Sequence, residues 1–332
     1  MNQESPTAVS LEGLVYPHPN LTDHTLDDND LERNCPLDLG RHHVQPRHDL
    51  GALDGLPLEI LSAILVDTPL RSLMEFRRVN QRAMQVVDSI PQFQTCTRYT
   101  LAPLRGILSI NAGSHTTCQD LFRALITSKC EECEDFAGFI YLLDCTRVCL
   151  LCFSEKQRYV PLSSAEVLRH YGLNRGRLAS LIGMRSVPGC YSPNEKTVPA
   201  RLELFDQASA RHAGIQLYGS AVAMEQHTSQ TAARKFEKRR ASSSGRPAST
   251  PARGNPRSSF AKRFMAVVRA PTVDVSIGSV EWGFHCLGCK RQYRKPPLHW
   301  RRKYTIQTFE EHVRECGPIV DGEHVLPSRG VV

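Results

Sequence analysis

Long apolar runs are what this sequence of 332 residues most plainly lacks. The longest strongly apolar stretch, about Phe139 to Leu143, falls far short of the roughly 20 residues that a membrane-spanning helix needs. The first twenty residues, "MNQESPTAVSLEGLVYPHPN", have no basic start followed by an apolar run, so no signal peptide is expected. The chain is therefore expected to be soluble, cytoplasmic and/or nuclear, with no membrane partner. The motifs of several enzyme classes are missing too. There is no Walker loop, no G-x-S-x-G, no H-E-x-x-H and no deaminase H-x-E…P-C-x-x-C. No catalytic residue is expected. Leucine-rich and WD repeats are also missing, which removes two common ways of reading a partner protein.

What is present bounds the fold. A chain of 332 residues suffices for about two domains of usual size. The apolar fraction of 41% supports a globular core, while 21 Pro and 21 Gly leave room for irregular structure. The 12 cysteines are poor disulfide candidates in a reducing compartment, so metal binding or core packing is the better expectation. The net charge of +7 hides an asymmetry. Residues 1–55 carry ten acids and three bases, a net of −7, whereas 234–269 carry eleven bases and one acid, a net of +10.

Along the chain, residues 1–50 are polar and aperiodic and read as a disordered acidic segment. Residues 51–98 read as short helices, 99–127 as a helical connector and 128–224 as a cysteine-rich unit with helices. Residues 225–259 are poor in apolar side chains and dense in Ser, Pro, Gly and Arg, as a solvated basic linker is. The run "ARKFEKRRASSSGRP" within it could also serve as a nuclear localisation or phosphate-binding element. Residues 260–326 hold a second cysteine cluster.

The stretch "LPLEILSAILVDTPLRSLMEFRRVN", Leu56 to Asn80, carries apolar residues at helical spacing and no chemistry. Pro57 suits a first helical position. Ile60, Leu61, Ile64 and Leu65 form one stripe, and "DTP" at 67–69 stops that helix. Ser72 with Glu75 reads as a capping box for a second helix lined by Leu73, Phe76 and Val79, and Ala83, Met84 and Val87 continue the pattern. Helices this short are marginal alone, so they must pack on each other and on something else.

This text resembles an F-box, in the form common among fungal F-box proteins. Leu56-Pro57-x-Glu59-Ile60 matches the opening of the motif. Phe76-Arg77-x-Val79-Asn80 and Val87-Asp88-Ser89-x-Pro91 match its close. The resemblance implies docking to the Skp subunit, and through it to the cullin, of a Skp–cullin–F-box ubiquitin ligase. It makes 51–98 the F-box and the chain a non-catalytic adaptor for a protein substrate that the sequence does not name. Laying an amphipathic helix pair into an apolar groove is a physically ordinary way to dock. Leu56, Pro57, Ile60, Ile64 and Leu65 are the partner-facing candidates.

Two clusters carry metal-ligand spacing. Cys130-x-x-Cys133 and Cys149-x-x-Cys152 are separated by fifteen residues, enough for a hairpin return, and suit a closed four-thiolate structural zinc site. Cys145 is a fifth thiol and a possible substitute ligand. Ser163 with Glu166 reads as a capping box, and Gly172 as a helix C-cap. Cys286-x-x-Cys289 is followed, after 22 intervening residues, by His312-x-x-x-Cys316. Thr308 and Glu311 read as a capping box there, which places His312 and Cys316 at i, i+4 on one helical face as a second zinc site. His299 and Trp300 read as a packed loop. Both clusters also look like those of the fungal F-box proteins, and the first bears a looser similarity to the zinc core of the excision-repair damage-recognition protein. That similarity, with "KRQYRKPPLHWRRKY", supports a nucleic-acid-binding zinc protein as the alternative. Nucleic acid is otherwise not expected as a partner, because the basic residues concentrate in the linker. The expected fold is α+β: a small helical F-box, then zinc-stabilised hairpin and helix modules.

Overall fold

Six short helices carry the first third of the fold: Leu58–Val66, Leu70–Arg77, Gln81–Ser89, Pro91–Arg98, Ala102–Ser109 and Cys118–Ile126. The computed structural model describes residues 11–16, 23–38, 45–193, 195–242, 256–290 and 299–325. Local chemistry sets most of the helix starts. The Asn80 side chain accepts the Ala83 N–H at 2.8 Å, and Pro91 opens the next helix, where a missing N–H costs nothing. Thr117 and Asp120 form a capping box for Cys118–Ile126.

The second helix starts differently from the sequence expectation. Pro69, not Ser72, is its N-cap, so Ser72 lies inside the helix. The Leu70 N–H donates to the Thr116 carbonyl at 2.8 Å. A distant segment thus satisfies an amide that a capping box would otherwise serve. Glu75 instead pairs with Arg71 at 3.0 Å along the exposed face.

The fold mixes helix with small antiparallel sheets. In the most buried sheet, Phe139–Tyr141 is central, flanked by Thr146–Val148 and by Val267–Arg269. Ile140 faces Arg147 on one side and Val268 on the other. All three positions of the central strand and of Thr146–Val148 are buried, as strands covered on both faces are. The third strand comes from beyond the basic segment, so a boundary at residue 260 crosses a sheet. Ala261, Phe264, Met265 and Val267 share one core with Leu26, Leu61, Leu73, Leu104 and Phe153.

A smaller core lies around Val167, Tyr171, Leu181 and Phe205. There the strands Leu162–Ser163, Glu203–Phe205 and Gly183–Arg185 meet the helices Ser164–Tyr171 and Gln207–Tyr218. The expected Ser163–Glu166 capping box is present, and Gly172 closes that helix at φ 64°. The segment read as a linker from 225 is helical through Ser242, within Ala221–Ser242. Its Ala, Gln, Lys and Arg are good helix formers even with no apolar stripe. The remainder, 243–255, lies outside the described residues.

The acidic N-terminal segment departs most from expectation. Leu26 and Leu31 are buried in the main core, and Val15–Tyr16 pairs with Phe284–Cys286. Three aspartates fix the segment: Asp27, at 2.8 Å, and Asp28 pair with Arg269, and Asp23 receives both Nη atoms of Arg301. Arg269, at the end of the base-rich stretch, and Arg301 beyond it thus reach back to the acid-rich segment. Among the described residues, no helix is long and apolar enough to cross a membrane.

Candidate functional site

The first cysteine group is assembled by a turn and a helix start. Cys130 and Cys133 lie on a turn in which the Cys130 N–H donates to the Asp135 carbonyl and the Glu134 N–H to that of Cys130, at 2.7 and 2.9 Å. Strands Phe139–Tyr141 and Thr146–Val148 carry the chain back. Cys149 then caps the helix Leu150–Glu155, its sulfur accepting the Cys152 N–H at 3.4 Å. Amides at a helix start favour an anionic sulfur.

The four ligand atoms of Cys130, Cys133, Cys149 and Cys152 lie within 4.8 Å of one another, with Cys133 and Cys149 sulfurs 3.6 Å apart. A tetrahedral ion bonded to sulfur at about 2.3 Å would space its ligands by roughly 3.8 Å. The donor set therefore fits a metal ion. Hydrogen bonding from Cys149 lowers the Cys130 thiol to about 5, and the same contact pushes Cys149 up. Cys145 is not part of the group. It sits in the hairpin turn at φ 59°, a strand's length from Cys149, and burial raises its thiol.

The second group draws on three elements. Cys286 ends the strand Phe284–Cys286, and Cys289 follows in the turn. His312 lies on the helix Ile306–Cys316, capped by Thr305 with Thr308 rather than by the expected Thr308–Glu311 box. The fourth member is His324, from the hairpin Ile319–Val320 and Glu323–His324. Its Nε2 is 3.2 Å from Cys286 Sγ and 3.2 Å from His312 Nε2, and the latter is 3.3 Å from Cys289 Sγ.

An outer contact sets the tautomer of His324. His324 Nδ1 is 2.7 Å from the Gly317 carbonyl oxygen, which can only accept. Nδ1 therefore carries the proton and Nε2 keeps its lone pair for a metal. His312 turns Nδ1 to the Tyr304 hydroxyl, at 3.2 Å.

Cys316, expected as a ligand, is replaced in the group by His324. The Cys316 sulfur approaches His312 on its Nδ1 side, at 3.5 Å, behind the ring rather than at Nε2. The i, i+4 relation puts both residues on one face but does not bring Cys316 to the far edge of the imidazole. Gly317, at φ 90°, ends the helix and lets the hairpin fold His324 into the fourth corner. His299 Nε2 stands 3.7 Å from Cys289 Sγ, closer than a simple packed loop implies. Hydrogen bonding from Cys289, then from His312, lowers the Cys286 thiol to about 4.

His324 had one signal in the sequence. "IVDGEH" contains Asp-Gly between short apolar and polar residues, and Asp321 and Gly322 both adopt positive φ, at 52° and 78°. An Asp-Gly pair at positive φ makes a tight hairpin, and a hairpin here returns a histidine to the site.

The N-terminal helices bear no such chemistry. Leu56, Pro57, Ile60 and Ile64 are exposed, together with Leu53 and Leu58. Ile60 and Ile64, about half exposed at 51% and 54%, lie one turn apart on the helix Leu58–Val66. Leu65 is the exception among the partner-facing candidates. It is 6% exposed and packs with Leu61 in the core, because the stripe expected as one face divides between two.

No protein-family model, curated protein or solved structure matches the chain. Of the basic and aromatic stretch behind the nucleic-acid alternative, 291–298 lie outside the described residues.

Proposed function

We propose that this chain is an F-box substrate-recognition adaptor of a Skp–cullin–F-box ubiquitin ligase. The observation that carries the reading is the exposed apolar pair Ile60 and Ile64, one turn apart on the helix Leu58–Val66, with Leu56 and Leu58 also exposed at its start. It lies on the stretch where the sequence resemblance puts the Skp contact. Burying such side chains is worth about 25 cal/mol per Å², so a pair of isoleucines on one face left half in water argues for a partner. Behind that face Leu61, Leu65 and Val66 anchor the helix, so the face is rigid before docking.

The two Cys and Cys/His groups are zinc sites in this reading, one with four thiolates and one with two cysteines and two histidines. Both are coordinatively full, so zinc here shapes the chain and does no chemistry. Ubiquitin transfer falls to partner subunits, and the adaptor acts by holding its substrate near them at high effective concentration. A nucleic-acid role is disfavoured because Arg269, Arg301 and Arg302 are engaged by Asp27, Asp23 and Asp135.

The test is retention of a purified Skp-type subunit on the immobilised full chain. Ile60→Asp with Ile64→Asp should abolish retention while leaving thermal unfolding within a few degrees of wild type, because neither side chain belongs to the core. No retention by the wild type, or retention that survives both substitutions, rejects the adaptor reading.

A further inference from the structure

A cavity of about 680 Å³ opens between the N-terminal segment, the helix after Cys149 and the strand Lys303–Tyr304. That volume suits a ligand the size of a small drug. One wall is apolar, made by Phe136, Phe139, Leu150 and Leu151, with Trp282 also lining it and nearly half exposed. The other side carries Arg269, Arg301, Arg302 and Lys303 together with Asp23 and Asp27, and its charges can be assigned one by one. Arg301 is held by Asp23, Arg269 by Asp27 and Asp28, and Arg302 by Asp135. Lys303 is left over. Its Nζ donates to the Trp282 carbonyl at 2.7 Å, and among the described residues no carboxylate pairs with it. Gly138 leaves room for this ammonium, since a Cβ there would come within 3.4 Å of Nζ.

We propose that this cavity binds an apolar group bearing a carboxylate, with the carboxylate on Lys303 and the apolar body against Phe136, Phe139 and Leu151. A half-buried ammonium without a counter-ion is costly, and an anion delivered into the same space removes that cost while forming a charge-assisted hydrogen bond. Burial, with Arg147 and Arg269 nearby, already pulls Lys303 down to about 8, as expected for a cation short of compensation. Two sources supply such a group: a free aliphatic or aromatic acid, and the C-terminal residue of a polypeptide. The inference stands apart from the adaptor reading, since failure to bind a Skp-type subunit would leave it intact.

Calorimetric titration of the full, metal-loaded chain tests it with four probes: 4-phenylbutyrate, its amide, and a hexapeptide ending in leucine with a free or an amidated C-terminus. At least one acid should bind, and its amide should bind about tenfold more weakly or worse, the loss expected for a charged hydrogen bond. Lys303→Met should erase the difference and Lys303→Arg should restore it. Binding of the free acid alone assigns a small molecule, and binding of the peptide acid assigns a chain terminus. The proposal is overturned if neither acid binds at millimolar concentration, if acid and amide bind alike, or if Lys303→Met keeps the preference. The acid–amide comparison needs no variant, so a poorly folding substitution cannot remove the test.

Discussion

Arg77 and Asp88 form a two-pronged ion pair inside the helical region, Nε to Oδ1 at 2.6 Å and Nη2 to Oδ2 at 2.8 Å. Both are largely buried, and Arg77 Nη2 also donates to the Asp38 carbonyl at 2.8 Å. The pair ties the helix Leu70–Arg77 to the helix Gln81–Ser89. Removing one partner leaves an uncompensated buried charge, which costs about 3–5 kcal/mol. Asp88→Ala should therefore lower the denaturant midpoint sharply. Arg77→Met with Asp88→Leu should recover much of the loss, because no charge is then stranded. Equal damage from the single and double variants would contradict this account.

Metal content discriminates the ligands of the second group. His324→Ala should reduce bound zinc from two ions per chain to one, whereas Cys316→Ser should retain both. Atomic emission on dialysed protein reads this directly. Loss of zinc from the Cys316→Ser protein alone would return the site to the Cys-Cys-His-Cys set expected from sequence.

The two metal groups should differ in how far their loss spreads. Cys130 and Cys149 belong to the main hydrophobic core, while Cys286 and Cys289 belong to a small satellite with Tyr304 and Phe309. Ligand binding and folding are one equilibrium at such sites. Cys149→Ser should thus lower the main thermal transition, whereas Cys289→Ser should detach a minor transition and leave the main one near its wild-type temperature. Differential scanning calorimetry separates the outcomes.

Acid sensitivity should trace in part to Glu166. Burial alone would raise its carboxyl, but Lys262 and the Ser163 hydroxyl and backbone N–H outweigh burial and lower it to about 2. A carboxyl depressed on folding stabilises the protein above its ordinary value of about 4.3, and that stability is lost as pH falls toward 2. Glu166→Gln should flatten the decline of melting temperature between those pH values relative to wild type. An unchanged slope would remove Glu166 from the explanation.

Much of the local structure was legible because it depends on neighbours in sequence. The Ser163–Glu166 box, the Gly172 cap and the stop at "DTP" are contacts over three or four residues, and the fifteen-residue spacing foretold the Cys130–Cys152 group. Long-range pairings decided the rest. Thr116 took the Leu70 amide and displaced the Ser72 cap, and Arg301 and Arg269 ordered an acidic segment that composition alone reads as solvated. At the second metal group the cysteine pair and His312 were readable from spacing. The fourth corner was not, because a hairpin and not the helix supplies it.

The pairing of Val15 with Cys286 sets an order of assembly. During synthesis Val15 leaves the ribosome long before Cys286 has been joined to the chain. Its strand edge stays open through that interval, a template for mispairing that its brevity and the acids beyond it help to blunt. Closing so long a loop adds only a logarithmic entropy, but the encounter is among the slowest such a chain can make. A translating ribosome that stalls within the basic stretch would therefore display Val15–Tyr16 without its partner strand, while Leu26 and Leu31 already have the helix Ala102–Ser109 to pack on.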